Sequence, residues 1–273
     1  MKTKKNVHLF VIISFVLASC SSLEVENGGV CESVFSNPNQ FVELETSPST
    51  IVLQRMGRAG ELHNEFLDSV VTKQISLSNL GSHLYNFSVQ KSIIRDSLID
   101  SISFVNGARK MCFHDNGTPL SEDYYTTQDS IIIPEKWNYY ITRMSNMITS
   151  RIDTALFKRE LTRLQDGIMQ NAELDDVDKT ALIGISAIAK ASYNYHSSNI
   201  DYQQATTQQF VTFEKCVKAD LLGAAGKVGW SLVTGALKNL LIFGPGGVVE
   251  KVAADVFVGG ALSSGKKLID LLF

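Results

Sequence analysis

Ten of the chain's 19 glycines fall between Gly223 and Gly265, in a stretch that is otherwise apolar and contains a single proline, Pro245. A glycine inside a helix costs about 0.5–1 kcal/mol relative to alanine. Repeated glycine in a helical pattern therefore needs an offsetting reason, and close approach of a second backbone is one. From Asp220 to Lys238 the polar residues Asp220, Lys227, Ser231, Thr234 and Lys238 are spaced by seven, four, three and four. That spacing places them on one narrow stripe of a helix and leaves Leu, Val, Ala, Gly and Trp230 around the rest. Gly223, Gly226 and Gly229 are the expected helix-contact positions, with Ala225 and Gly229 as a small-xxx-small pair. Gly244-Pro-Gly-Gly247 reads as a turn, followed by a second apolar arm carrying Lys251, Asp255, Lys266 and Asp270. Residues 217–273 are thus expected to form a glycine-rich apolar helical hairpin. Its uncharged intervals, 228–237 and 239–249, are ten and eleven residues long, against the roughly 20 that one membrane span needs. Two readings stay open at this level: a hairpin that works at a membrane surface or in self-association, and a close-packed helix pair buried against the rest of the chain.

The opposite end carries an address. Lys2, Lys4 and Lys5 precede the short apolar run Leu9 to Ala18, the basic start and greasy middle of an export signal. Leu17-Ala18-Ser19-Cys20 follows, and it resembles the lipobox of bacterial lipoproteins. The resemblance implies a lipoprotein signal peptide over residues 1–19, cleavage before Cys20, and acylation of the Cys20 thiol and its new amino group. It further implies a bacterial cell-envelope location, with the membrane reached through an N-terminal lipid. The mildly acidic Ser22-Leu-Glu-Val-Glu26 extends that expectation to the outer membrane or cell surface. Loss of the three lysines takes the net charge from −3 to −6, which argues against nucleic acid as a partner.

Between these ends the chain reads as mainly α. Residues 20–55 hold the breakers Asn27-Gly28-Gly29, Asn37-Pro38-Asn39 and Ser47-Pro48-Ser49 and are expected to be a tether. Residues 56–216 are expected to form a helical domain. Its first helix follows Gly60, with Leu62, Phe66, Leu67 and Val70 on one face; a second is expected over Lys91 to Val105, on Ile94, Leu98, Ile102 and Val105, ended by Asn106-Gly107. Lys110 to Ser130 reads as a loop and a candidate binding surface. Pro134 then suits the first turn of a helix whose face is Trp137, Ile141, Met144 and Ile148. The pattern continues through Leu156, Leu161, Leu164 and Ile168 as one bent helix or two. Asp175 and Asp176 open another, with Leu182, Ile185 and Ala189 inward and Lys179, Ser186 and Lys190 toward solvent.

Chemistry is sparse. The five histidines are scattered, and no CxxC pair, GxSxG, HExxH, P-loop or nucleotide-binding glycine motif occurs. No catalytic, cofactor-binding or metal-binding residue is assigned. Asp175, Asp176 and Asp178 lack the glycine and distal glutamate of a calcium loop. With Cys20 lipidated, Cys31, Cys112 and Cys216 permit one bridge and one spare thiol. Tyr193-Asn-Tyr195-His196 reads as aromatic packing at a helix end, and His63-Asn64 is the polar pair to watch. Gly60-Glu-Leu-His-Asn-Glu65 with Leu67-Asp68, then Ala181-Leu182 to Tyr195, then Lys218-Ala219-Asp220 leading into Gly223, resemble landmarks of a group of uncharacterised exported bacterial proteins with a glycine-rich C-terminal tail. The resemblance implies a shared fold and carries over no catalytic residue; Phe243-Gly-Pro-Gly246 departs from it. The expected function is a lipid-anchored envelope protein of non-catalytic binding or assembly role, meeting an envelope partner or itself. The alternative is a membrane-active, bacteriocin-like toxin; an envelope enzyme has only chain size in its favour.

Overall fold

A computed structural model describes residues 48–93, 101–112, 133–150, 153–198, 207–233 and 245–272. Among them the fold is mainly α, as the periodicities require, with eight α-helices and two short 3-10 turns. In chain order the helices are α1 (Pro48–Thr72), α2 (Leu80–Gln90), α3 (Ser101–Cys112), α4 (Asn138–Thr149), α5 (Thr154–Gln170), α6 (Asp176–Ser198), α7 (Thr207–Val233) and α8 (Pro245–Leu272).

Helix α1 begins at Pro48, before the expected end of the tether at residue 55, and it runs through both Gly57 and Gly60. A proline lacks only an N–H that the first helical turn leaves unbonded anyway, so a residue read as a breaker starts the helix instead. Leu62, Phe66, Leu67 and Val70 are buried as expected, joined by Met56 and Ala59. The helix expected over Lys91 to Val105 is corrected. Lys91 follows the end of α2, and Ser92 adopts φ 51° while Ile93 N–H bonds back to Ser88 C=O at 2.8 Å and Ser92 N–H to Val89 C=O at 2.9 Å. That is a Schellman stop built on serine, so the glycine that usually marks one is missing. Asn106-Gly107 lies inside α3 rather than after it, and Ile102 is 69% exposed while Phe104 and Ala108 are buried. Ile94, Leu98 and most of the expected loop to Ser130 lie outside the described residues.

Trp137, Ile141, Met144 and Ile148 are all buried, as their spacing requires. The pattern beyond them is two helices, because Asp153 caps α5 by accepting from the N–H groups of Ala155 and Leu156, each at 2.9 Å. Helix α6 departs most from expectation. Ser186 is fully buried, Lys179 and Lys190 are half-buried, and the helix is packed by α1, α4, α5, α7 and α8. Its start is a reciprocal cap in which Asp175 accepts from the Asp178 N–H at 2.8 Å and Asp178 accepts from the Asp175 N–H at 3.2 Å. Asp178 also accepts from Trp137 Nε1 at 2.9 Å and from Lys136 Nζ, tying this cap to the turn before α4.

The hairpin forms, and α7 against α8 is the most extensive helix pair among the described residues. Position 217, the expected domain edge, lies within α7. Of the polar stripe, Asp220 and Ser231 are both 0% exposed and Lys227 is half-buried, while Thr234 and Lys238 lie outside the described residues. Several charges on the hairpin are instead satisfied along their own helix, Lys218 donating to Glu214, Lys251 to Asp255 and Lys266 to Asp270, each one turn apart. Both arms also pack on α6, and α8 packs on α1, so the hairpin forms one side of the core. No helix among the described residues is long and apolar enough to cross a membrane.

Candidate functional site

Where α1, α6, α7 and α8 meet, a set of polar side chains is closed inside the apolar core. The approach of α1 to α6 depends on Gly60, where a Cβ would lie 2.9 Å from Ala191 Cβ and 3.1 Å from Ala187 O. One turn later Asn64 Nδ2 donates to the Ala191 carbonyl at 3.1 Å. That bond sets the amide, so Asn64 Oδ1 faces His63 Nδ1 at 3.0 Å and the Nδ1 nitrogen is the one that carries hydrogen. His63 itself is 0% exposed; it falls on the buried stripe of α1, four residues after Ala59.

Helix α8 closes the site with a doubled pattern, Gly259-Gly260 followed one turn later by Ser263-Ser264. Gly260 lets α8 come close to the imidazole: a Cβ there would be 3.3 Å from His63 Cδ2 and 2.9 Å from Ile188 Cγ2. Ser264 donates to Asp220 Oδ1, and the other carboxylate oxygen lies 3.4 Å from His63 Nε2, out of line for a hydrogen bond. Gly259 and Ser263 face Gly223 of α7, so the same two turns of α8 set both the backbone contact and the polar contact. Of the expected helix-contact glycines, Gly223 is therefore at the tight interface, Gly229 is buried and Gly226 half-buried.

His196 completes the set from α6. It is 9% exposed, and burial pushes its imidazole down to about 4, against the upward pull of the Asp220 carboxylate and with a further depression from His63. The neighbouring Tyr195 hydroxyl is pushed up, by burial first and then by its bond to Asp68. Tyr193 packs as expected, stacked on Phe157 with ring centroids 3.8 Å apart. Sequence spacing brings out the His63-Asn64 pair and places Asp220 on a polar stripe of its helix, but it gives Ser264 no role. The signal available was the fourfold spacing of small residues in Gly259-Gly260 and Ser263-Ser264.

The order Asn64, His63, Asp220, Ser264 puts the carboxylate between imidazole and hydroxyl. In a hydrolytic triad the hydroxyl faces the imidazole so that its proton can leave; here Ser264 gives its hydrogen to Asp220 and is not activated. Cys216, one turn before Asp220, is a buried free thiol, pushed up to about 12 by burial and then by the Asp220 charge. It is therefore expected to resist iodoacetamide at pH 8 in the folded chain and to react within minutes in 6 M guanidinium chloride. Mass mapping of modified Cys216 under both conditions checks this, and rapid native labelling is the contrary result. Cys20 and Cys31 lie outside the described residues, as does the side chain of Cys112. Among the described residues no group of three or more His, Cys, Asp or Glu side chains is placed to hold a metal ion. Compared with protein-family models, with curated proteins and with solved structures, the chain matches none.

Proposed function

We propose that this chain is a lipid-anchored protein of the bacterial cell envelope, a helical body held to the membrane through acylated Cys20 and serving a non-catalytic binding or assembly role. The observation that carries the reading is the coincidence of three basic residues, a ten-residue apolar run and Leu17-Ala18-Ser19-Cys20 at its end. From Cys20 to Pro48, where α1 begins, there are 28 residue steps, which at full extension reach about 90–100 Å. Such a reach lets the body meet an envelope partner or a second copy well away from the lipid. The hairpin supports a packing role within this chain, since the faces of Gly223 and Gly260 are filled by Gly259, Ser263, Ile188 and His63 of the same molecule. Substituting Cys20→Ala is expected to abolish incorporation of labelled fatty acid and to move the protein from the membrane to the soluble fraction. Unchanged labelling overturns the lipoprotein reading.

A further inference from the structure

We propose that α8 is the keystone of this fold: the helices that precede it cannot hold together until residues 245–272 are available to them, so folding waits for α8. Residues 255–265 of α8 are all buried, about three turns with every face closed to water. A helix that is apolar and enclosed on all sides needs neighbours all round it. Those of α8 are α1, α2, α3, α6 and α7, and all five come before it in the chain.

Each side of α8 meets a different partner. Val252 and Val256 close over Gly184 of α6, where Met56 of α1 also reaches. Phe257 joins α1 to α2, its ring centroid 6.4 Å from that of Phe66 and 6.0 Å from that of Phe87. Phe66 already holds Phe87 and His83 of α2 around its ring, so Phe257 completes that aromatic cluster. Further along, Gly260 faces His63 and Ile188, Gly265 faces Leu80 and Phe66, and Gly259 faces Gly223 of α7. Met56, His63, Phe66, Leu80 and Ile188 are all 0% exposed in this arrangement, and they come from three different helices.

Taking α8 away therefore opens α1, α2 and α6 together. Val252, Val256 and Phe257 are 0% exposed and Leu262 is 1% exposed. Each side chain of that size contributes a substantial part of a domain's small net stability, so the four together are comparable with the whole margin. Their partners also lie far back in the chain, Phe66 and Phe257 being about 190 residues apart. Closing so long a loop costs entropy before any contact repays it, which sets the seating of α8 as the slow step. Such a delay suits a chain that crosses a membrane before it folds. That use rests on the lipoprotein reading above, whereas the order of folding does not: a failed folding experiment removes the keystone and leaves the lipid anchor to Cys20→Ala.

Pulsed hydrogen exchange during refolding of the intact chain follows each helix separately. Peptides from 48–72, 80–90 and 176–198 are expected to gain protection in the same kinetic phase as 245–272. Two substitutions of fully buried phenylalanines compare the keystone with a peripheral helix. Phe257→Ala in α8 is expected to slow folding about 10-fold or more, whereas Phe157→Ala in α5 mainly speeds unfolding. Early protection of α1 with α6, followed by later protection of α8, overturns the keystone; so does a Phe257→Ala chain that folds at the wild-type rate. Should either variant fail to fold, the order of protection in the unmodified chain decides.

Discussion

Gly223→Ala is expected to destabilise the protein by about 2 kcal/mol, although alanine is the better helix former. The added methyl would overlap Ser263 Oγ and lie 2.5 Å from the Gly259 carbonyl oxygen, and neither a backbone oxygen nor a serine on the facing helix can yield unless α7 and α8 move apart. Such movement also draws Ser264 away from Asp220 and loosens the junction beneath the hairpin. Overpacking of this kind commonly costs about 1–3 kcal/mol; the contact with backbone places Gly223 at the upper end, less the roughly 1 kcal/mol that the gain in helix propensity returns. Gly57→Ala is the matched control. A Cβ there meets nothing within 4 Å, so the same substitution is expected to leave stability unchanged or raise it by about 0.5–1 kcal/mol. In a chain of this size about 2–4 °C of melting temperature corresponds to each kcal/mol, and the two variants should melt about 4–12 °C apart. Equal melting temperatures would mean that α7 and α8 are not in backbone contact in solution. Ser231, on the polar stripe of the same helix, is buried, so Ser231→Ala would not serve as a silent control.

Asp178→Ala is expected to cost about 2–4 kcal/mol, on different grounds. The Asp178 carboxylate is buried and is held by three donors: Trp137 Nε1 at 2.9 Å, Lys136 Nζ, and the Asp175 N–H at 3.2 Å. Removing it leaves the Trp137 N–H enclosed without an acceptor, a loss of about 1–3 kcal/mol, and opens the reciprocal cap of α6, worth about 1 kcal/mol more. Lys136 adds little, since its side chain is nearly half exposed and water takes it back. Asp178→Asn keeps an oxygen for Trp137 and should cost about 1 kcal/mol. Chemical denaturation of the three proteins gives the order, and it has a built-in check: Trp137 fluorescence should shift in the alanine variant but hardly in the asparagine one. If both variants unfold with the wild type, the capping interaction does not carry the start of α6.

How far the sequence could be read depended on whether a feature is local. The face of α4 was legible from Trp137, Ile141, Met144 and Ile148 because a helix that buries one side shows its period directly. The start of α6 was legible from Asp175 and Asp176, since acids collect where the helix dipole favours them. The end of α2 was not legible, because Ser92 takes a conformation whose usual marker is glycine; the residues after it were therefore read as a helix beginning when a helix was ending. Asn106-Gly107 misled in the reverse sense, as two residues that usually stop a helix are carried inside α3.

The polar junction marks the same boundary more sharply. His63 and Asn64 drew attention as neighbours in sequence, but Asp220 and Ser264 lie 44 residues apart on opposite arms of the hairpin and meet only after folding. The spacing of polar residues along α7 correctly placed Asp220 on a stripe, and nothing in that spacing says whether a stripe faces water or another helix. By itself the sequence determined the helical character, the export and lipobox resemblance, and the need for close backbone approach somewhere along the glycine-rich tail. Only the tertiary structure decided what approaches: α8 against Gly223 within the same chain, and the α1 and α6 body beneath. The physical reason is that periodicity records which residues of a helix share a face, whereas the partner of that face is fixed by packing among helices distant in sequence.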